Sequence, residues 1–365
     1  MAIEFTKGFT ISPNINSLYD FTTFTFTNVG VVGPNPPTLA QFLGSYTGSA
    51  TWASNTAYFT TQSGIFRGYQ LWTVPQTGTY EIEVAGASSG RATHSGLPAA
   101  GYFSSGSKMR ARFTLNKNDK LLIVVGQQSA NATQVATYAG LGGGGGTFVV
   151  PSGSASGSTT PFIVAGGGGG VGAWTGALPV VSGSQIFGRT TTSGGRAAFG
   201  ELGGTDGNGG RSHVTSSLNQ YDGGGGGGFA VGVSGSGMNG NGSYITAANS
   251  NQGFGGKGFW TGSVGGGNST TYPAPGTSPG GFGGGGGAGP ITGGGGGGYS
   301  GGAGNGRNGG TLPDSGGGGG SYISSSATNV GTADGNYENL STFSGSAITN
   351  IGYHSGSGYV KITKL

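Results

Sequence analysis

Cysteine is absent from the 365 residues. That removes disulfides, thiolate metal sites and thiol nucleophiles, and leaves packing and hydrogen bonds to hold the fold. Charge is scarce too: Asp, Glu, Lys and Arg make up 7% of the chain and the formal net charge is +4, where ordinary domains carry roughly 25% charged residues. So thin and dispersed a charge argues against a nucleic-acid partner. Histidine occurs three times, as His94, His213 and His354, without ligand-like spacing, so neither a metal nor any other cofactor is expected. No run of 18 apolar residues exists, and the opening MAIEFTKGFTISPNIN has no basic segment leading into an apolar one; neither membrane insertion nor a signal peptide is expected. Helical periodicity is lacking as well: no stretch repeats apolar residues at i, i+3, i+4 and i+7 over three turns, which predicts very little α-helix.

What the chain has is glycine, 90 residues of it, where average usage is roughly 7%. The bias sets in after Gly126; before it, the sequence reads as strands. TFTFTNVG at Thr23–Gly30 alternates small polar with aromatic residues, and GPNPP at Gly33–Pro37 ends any pairing because proline withholds donors. GYQLWTVPQTGTYEIEVAG at Gly68–Gly86 gives two alternating runs joined through Pro75–Gly78, a spacing that predicts a hairpin, with Tyr80, Ile82 and Val84 on one face. KMRARFTL at Lys108–Leu115 places Met109, Ala111, Phe113 and Leu115 opposite Lys108, Arg110 and Arg112. A buried-type strand is expected at Asp119–Gly126 and further strands at Thr147–Val150, Phe162–Ala165 and Gly358–Leu365, so that strands enclose the glycine region at both ends.

Six unbroken glycine runs follow: Gly142–Gly146, Gly166–Gly170, Gly223–Gly228, Gly283–Gly287, Gly293–Gly298 and Gly316–Gly320. A flexible linker would explain glycine but not the apolar residues at the run ends, Phe148, Val171, Phe229, Phe282, Tyr299 and Tyr322, which read as wedges and caps. Extended three-fold helices explain both. Such a helix rises about 3.1 Å per residue and has no internal hydrogen bonds, so it must bond to neighbours brought close by the absence of Cβ.

These blocks resemble a known family. FTFTNVGVVGPNPPTLAQF at Phe24–Phe42, GYQLWTVPQTGTYEIEVAGASSG at Gly68–Gly90, FTLNKNDKLLIVVGQQ at Phe113–Gln128, PFIVAGGGGG at Pro161–Gly170, GGGGGGYSGG at Gly293–Gly302 and the closing GYVKITKL are similar, in order, to the glycine-rich extracellular module of the anaplastic lymphoma kinase and leukocyte tyrosine kinase receptors. The resemblance implies an all-β, jelly-roll-like sandwich with an inserted bundle of polyglycine II helices. Where the receptors carry cysteines this chain has Val29 and Phe42, and it has no kinase, so signalling is not implied. A looser analogy, through the glycine runs, the absence of cysteine and of a signal peptide, and the polar surface, is to the tail-fibre-tip adhesins of T-even-like phages. On this reading residues 1–20 form an N-terminal arm and 21–365 one glycine-rich domain, with a β framework at 21–165 and 358–365 and a polyglycine-helix region at 142–320.

Chemistry is sparse, and no enzyme is expected. Glu81 and Glu83 share a strand face at a separation open to glycoside hydrolysis but read as a solvated face. GASSG at Gly86–Gly90 fits a nucleophile elbow only by glycine frequency. Lys108, Arg110 and Arg112 form either a cationic contact face for an anionic partner or neighbouring subunit, or a solvated face. Between the runs, Val171–Tyr221 and Phe229–Pro279 read as loops at the lattice ends, where Trp174, Phe254, Phe259, Trp260 and Tyr272 are either exposed receptor-contact anchors or wedges covering the sheet. The expected function is a phage virion structural protein on the virion surface, made in the host cytoplasm: a receptor-binding or fibre-tip adhesin, held to other virion proteins by its arm and gripping a host cell-surface receptor. A decoration protein without a receptor and a secreted ligand-binding module related to the receptor kinases are the alternatives.

Overall fold

The computed structural model describes residues 16–93, 103–133, 138–153, 159–174, 185–197, 201–212, 221–230, 242, 252–270, 276–306, 314–333 and 354–365. Its frame is two antiparallel sheets. The first runs in the order Thr23–Thr27 (β1), Tyr359–Lys364 (β15), Gly78–Ala85 (β4), Lys108–Leu115 (β6), Thr328–Ala333 (β14). The second runs Tyr322–Ile323 (β13), Ile163–Ala165 (β11), Thr147–Pro151 (β10), Lys120–Val124 (β7), Gln70–Thr73 (β3), Phe59–Thr61 (β2). Two small ribbons sit apart: Tyr138–Gly140 (β9) pairs antiparallel with Gly172–Trp174 (β12), and Ala92–Thr93 (β5) pairs parallel with Ala132–Thr133 (β8).

Alternation decides which side chains meet. From the first sheet, Phe26, Tyr80, Ile82, Val84, Met109, Phe113 and Ile362 point inward; from the second, Phe59, Trp72, Leu121, Ile123, Val149 and Ile163 meet them in one buried core. Each large aliphatic or aromatic side chain so buried stabilises by roughly 1.5–3 kcal/mol before entropy is counted.

The runs flanking Pro75–Gly78 do not form the hairpin their spacing predicts. β3 pairs with β2 and β7, β4 with β15 and β6, and the connection crosses from one sheet to the other. Burial is the reason: Trp72, Val74, Tyr80 and Ile82 are all fully enclosed, and Trp72 packs edge-on against Tyr80 at 6.1 Å between ring centroids, across the core. A hairpin would have put both runs in one sheet and left the second face of the core unfilled.

Among the described residues one short α-helix, Leu39–Tyr46 (α1), follows the proline turn. Thr38 caps it: its hydroxyl accepts from the Gln41 N–H at 3.3 Å, while the Gln41 side chain accepts from the Thr38 N–H at 2.8 Å. Phe42 and Tyr46 face the core. The body also begins earlier than Phe21. The Leu18 N–H donates to the Pro75 carbonyl at 2.9 Å, and Tyr19 stacks on Trp52 with ring centroids 5.2 Å apart, so Leu18 and Tyr19 belong to the sandwich and not to an arm.

The glycine runs pack as a lattice around Gly293–Gly298. Its N–H groups serve three neighbours in rotation: Gly293 and Gly296 donate to Asp314 and Gly317, Gly294 and Gly297 to Leu141 and Gly144, Gly295 and Gly298 to Gly224 and Gly227. Its carbonyls accept from three others: Gly170 and Gly167, Asn305 and Gly302, and Gly286. A partner that recurs every third residue is the signature of a three-fold helix. The neighbours that accept from the central run advance in step with it and those that donate to it run against it, so three parallel and three antiparallel strands surround it. They also bond to one another around the ring, through Gly144 to Gly168, Gly319 to Gly167, Gly317 to Ala303, Gly226 to Gly302, Gly224 to Gly287 and Gly143 to Gly286, at 2.8–2.9 Å. The sixth neighbour, Gly301–Asn305, is not an unbroken glycine run. Close approach enforces glycine at the centre: a Cβ on Gly293 would stand 1.9 Å from the Gly170 carbonyl oxygen, and one on Gly296 2.2 Å from that of Gly167.

Candidate binding surface at the seam between lattice and sandwich

The second sheet is buried on both faces. Its outer residues Tyr69, Val124, Phe148, Val150 and Val164 meet Phe229, Phe259 and Phe282 in a second core, with Phe66, Trp260, Tyr299 and Tyr322 packed around it. Phe148, Phe229, Phe282, Tyr299 and Tyr322 all stand at ends of glycine runs, so these residues are the caps that weld the lattice onto the sheet. Val171 caps the opposite end with Leu141, Ala132 and Ala139.

The weld is polar as well as apolar. The Tyr69 hydroxyl lies 2.6 Å from the Ser263 Oγ and donates to the Phe259 carbonyl at 2.5 Å. Burial pushes this hydroxyl above its ordinary range, with the Ser263 hydrogen bond acting the other way. It therefore remains a donor at any physiological pH.

At one flank of the weld a cleft of about 280 Å3 opens between Thr159–Pro161 and the aromatic rings of Phe229, Trp260, Tyr299 and Tyr322. Tyr299 stacks on Tyr322 with centroids 4.5 Å apart and on Phe229 at 6.1 Å. Trp260 closes the other wall, edge-on to Phe229 at 5.7 Å and to Phe259 at 5.0 Å. Burial, then the neighbouring Tyr322 and Asp206, push the Tyr299 hydroxyl up, so it stays protonated. The wall is thus made of the half-buried rings of Trp260, Tyr299 and Tyr322 over a buried Phe229, with hydroxyls beside them, suited to a flat, weakly polar group.

The residues singled out from sequence separate. Phe259, a candidate exposed anchor, is 1% exposed and part of the second core, because the 3-10 turn Phe259–Thr261 that carries it is seated against the sheet: its N–H donates to the Gly228 carbonyl and its ring meets Phe148. Trp260 is half-buried on the cleft wall. Phe254 is exposed, on the lattice side. Trp174 is the last residue of β12, opposite Tyr138 of β9; Tyr272 lies outside the described residues. Sequence reasoning read Tyr299 and Tyr322 as caps and missed that the same rings line a cleft, since no local pattern distinguishes a cap with one exposed face from a buried one.

The cationic strand is not a free patch. Glu81 stands opposite Arg112 and Glu83 opposite Arg110 in the β4–β6 register. The Arg112 Nε donates to a Glu81 oxygen at 3.0 Å and Arg110 approaches the other at 3.7 Å. Glu83 accepts from the Tyr359 hydroxyl, and the Lys108 Nζ sits 5.7 Å over the Tyr359 ring. The face is a cross-strand charge ladder whose signs largely cancel.

At the far end of the lattice, Asp314, 1% exposed, stands beside the start of the central run. Burial pushes its carboxyl up to about 7, Asn305 acting against the shift and Glu201 adding to it. Among the described residues no group of three or more His, Cys, Asp or Glu is placed to hold a metal ion, and no helix is long and apolar enough to cross a membrane.

No protein-family model matches the chain. Over 108 residues, 29% of its length, the chain is 36% identical to the leukocyte tyrosine kinase receptor of Mus musculus. The likeness is partial and distant. The matched residues are 11% of that receptor, so this chain spans about a tenth of the relative's length.

Proposed function

We propose that this protein is a non-catalytic virion adhesin, a rigid body that holds a receptor-contact surface in place. The observation that carries the reading is the seven-strand glycine lattice. It satisfies its hydrogen bonds strand to strand and its central run carries no side chain, so its contribution is mechanical. Contact chemistry then falls to the rims, among them the aromatic cleft of Trp260, Tyr299 and Tyr322. Half-exposed rings held by their neighbours bind without losing much side-chain entropy, as recognition anchors do. The absence of cysteine is compatible with a particle made in a reducing cytoplasm.

The test is binding of the purified chain to whole host cells, beside Trp260→Ala and Tyr299→Ala variants whose circular dichroism and melting match the parent. A loss of binding of about tenfold or more in either variant supports the adhesin reading. Decoration of particles by a chain that binds no cells replaces it with an architectural role. A second reading is favoured by the partial likeness to a receptor tyrosine kinase: a ligand-binding module of a receptor type. Retained binding to a soluble protein ligand, with no cell binding, would move the conclusion there.

A further inference from the structure

On the other side of the weld, a groove of about 500 Å3 runs between a 3-10 turn of the sandwich, Gly64–Phe66, and the outer strands of the lattice at 254–257 and 264–267. Both walls are pinned. The Gly265 N–H donates to the Pro34 carbonyl at 3.1 Å, the Lys257 N–H to the Val264 carbonyl at 2.8 Å, and the Phe254 N–H to the Gly267 carbonyl at 2.7 Å. The groove is therefore present without any partner and needs no rearrangement to be entered.

Three features of its lining point to one kind of occupant. First, the N–H groups of Val264 and Gly267 have no acceptor among the described residues, and both residues line the groove. They are three apart on a lattice strand. Within the lattice, N–H groups three apart serve one neighbouring strand, as Gly294 and Gly297 serve Leu141 and Gly144. Val264 and Gly267 thus present the donor pattern of a lattice edge whose next strand position no described residue fills, about 9 Å from one donor to the next at 3.1 Å per residue. The Gly255 N–H, on the opposite strand, is likewise unbonded among the described residues.

Second, Ile65 and Phe254 are 65% and 43% exposed and face the groove from opposite walls. Large apolar side chains this open, in a chain that buries most of its others, mark a contact surface. Third, Arg67 and Lys257 supply two cations, one on each wall, and among the described residues no carboxylate lines the groove. Neither cation has an ion pair among the described residues.

We propose that the groove binds an extended, acidic peptide segment of a partner protein, which adds to the lattice edge as one more strand. Its carbonyls accept from Val264 and Gly267, an apolar side chain lies between Ile65 and Phe254, and its carboxylates pair with Arg67 and Lys257. This is the lattice counterpart of strand addition at a sheet edge. On the central run only glycine fits, but the groove is wide enough to admit side chains. The inference concerns a different flank from the aromatic cleft and stands whether or not that cleft grips a receptor.

Fluorescence anisotropy with the full chain tests it. The probe is a labelled octapeptide carrying glutamate at every third position, leucine after each glutamate and glycine elsewhere. Its counterpart has lysine in place of glutamate. The expected result is saturable binding of the acidic peptide, at least about tenfold tighter than the lysine peptide, with the preference reversed in an Arg67→Glu/Lys257→Glu variant. These two side chains are exposed, so the variant is expected to fold; a Phe254→Ala variant should weaken the acidic peptide by about tenfold independently of charge. Equal binding of both peptides, or binding that survives the charge reversal, overturns the proposal. So does oligogalacturonate binding as tightly as the acidic peptide, which would identify a site that reads carboxylates on any backbone.

Discussion

Glycine at the lattice centre and glycine in the helix have opposite consequences for substitution. Gly296 has no room: a Cβ would stand 2.2 Å from a backbone oxygen that is itself fixed by its neighbours. Gly296→Ala is expected to destabilise by about 1–3 kcal/mol, seen as a fall of several degrees in melting temperature. Gly44 lies inside α1 with nothing within 4 Å of a Cβ. Gly44→Ala is expected to leave the melting temperature unchanged or raise it, because alanine forms helix more readily by about 1 kcal/mol. Equal losses in both variants would count against the close-packed lattice.

Asp314 gives a residue-scale prediction in pH. Its carboxyl titrates near 3.8 when exposed and about 7 in the fold, so the unfolded chain releases the proton first. The stability it contributes is whole below about pH 4 and falls as pH rises toward 7. His354 acts in the other direction, since burial, with Lys108 adding and its bond to the Ser357 carbonyl opposing, lowers its pKa and makes the fold resist its protonation. Comparing Asp314→Asn with the parent removes the histidine term: the variant's relative melting temperature should rise from about pH 4.5 to 7.5. A difference that stays flat across that interval would mean the carboxyl is solvated.

At the scale of elements, strands were legible wherever alternation was strong. Tyr80, Ile82 and Val84 do face inward, and KMRARFTL does divide into a buried and a charged face. Two things were not legible. The hairpin spacing around Pro75–Gly78 misled because local turn chemistry does not say whether the next strand continues in the same sheet or crosses the core; the burial of Trp72 against Tyr80 settles that. The helix α1 is two turns long, too short for periodicity to register, although Thr38 and Gln41 already carried a capping signature.

The whole molecule is two bodies welded face to face, a sandwich and a lattice, with the second sheet shared between them. The lattice has few side chains, so its resistance to opening rests on hydrogen bonds that each contribute only about 0.5–1.5 kcal/mol net but are exchanged among seven strands. Opening the central strand breaks bonds to all six neighbours at once. Amides of Gly293–Gly298 are therefore expected to exchange with deuterium as slowly as those of β4 and β7, and much more slowly than those of exposed turns such as Gly64–Phe66. Exchange of the central run within seconds at neutral pH would show that the lattice opens locally.

The sequence alone determined that this chain has no disulfides, that its strands bracket the glycine region, and that the runs must bond to one another, because glycine strings with apolar ends can satisfy their backbones in few other ways. Tertiary structure decided which run sits at the centre, since the runs are chemically interchangeable and only the path of the connecting chain tells them apart. It also decided the two surfaces at the weld. Ile65 and Phe254, or Pro161 and Tyr299, are remote in the chain and come together only because the capping aromatics seat the lattice on the outer face of the second sheet. Contacts of that range carry no local signature, so no reading of composition or spacing reaches them.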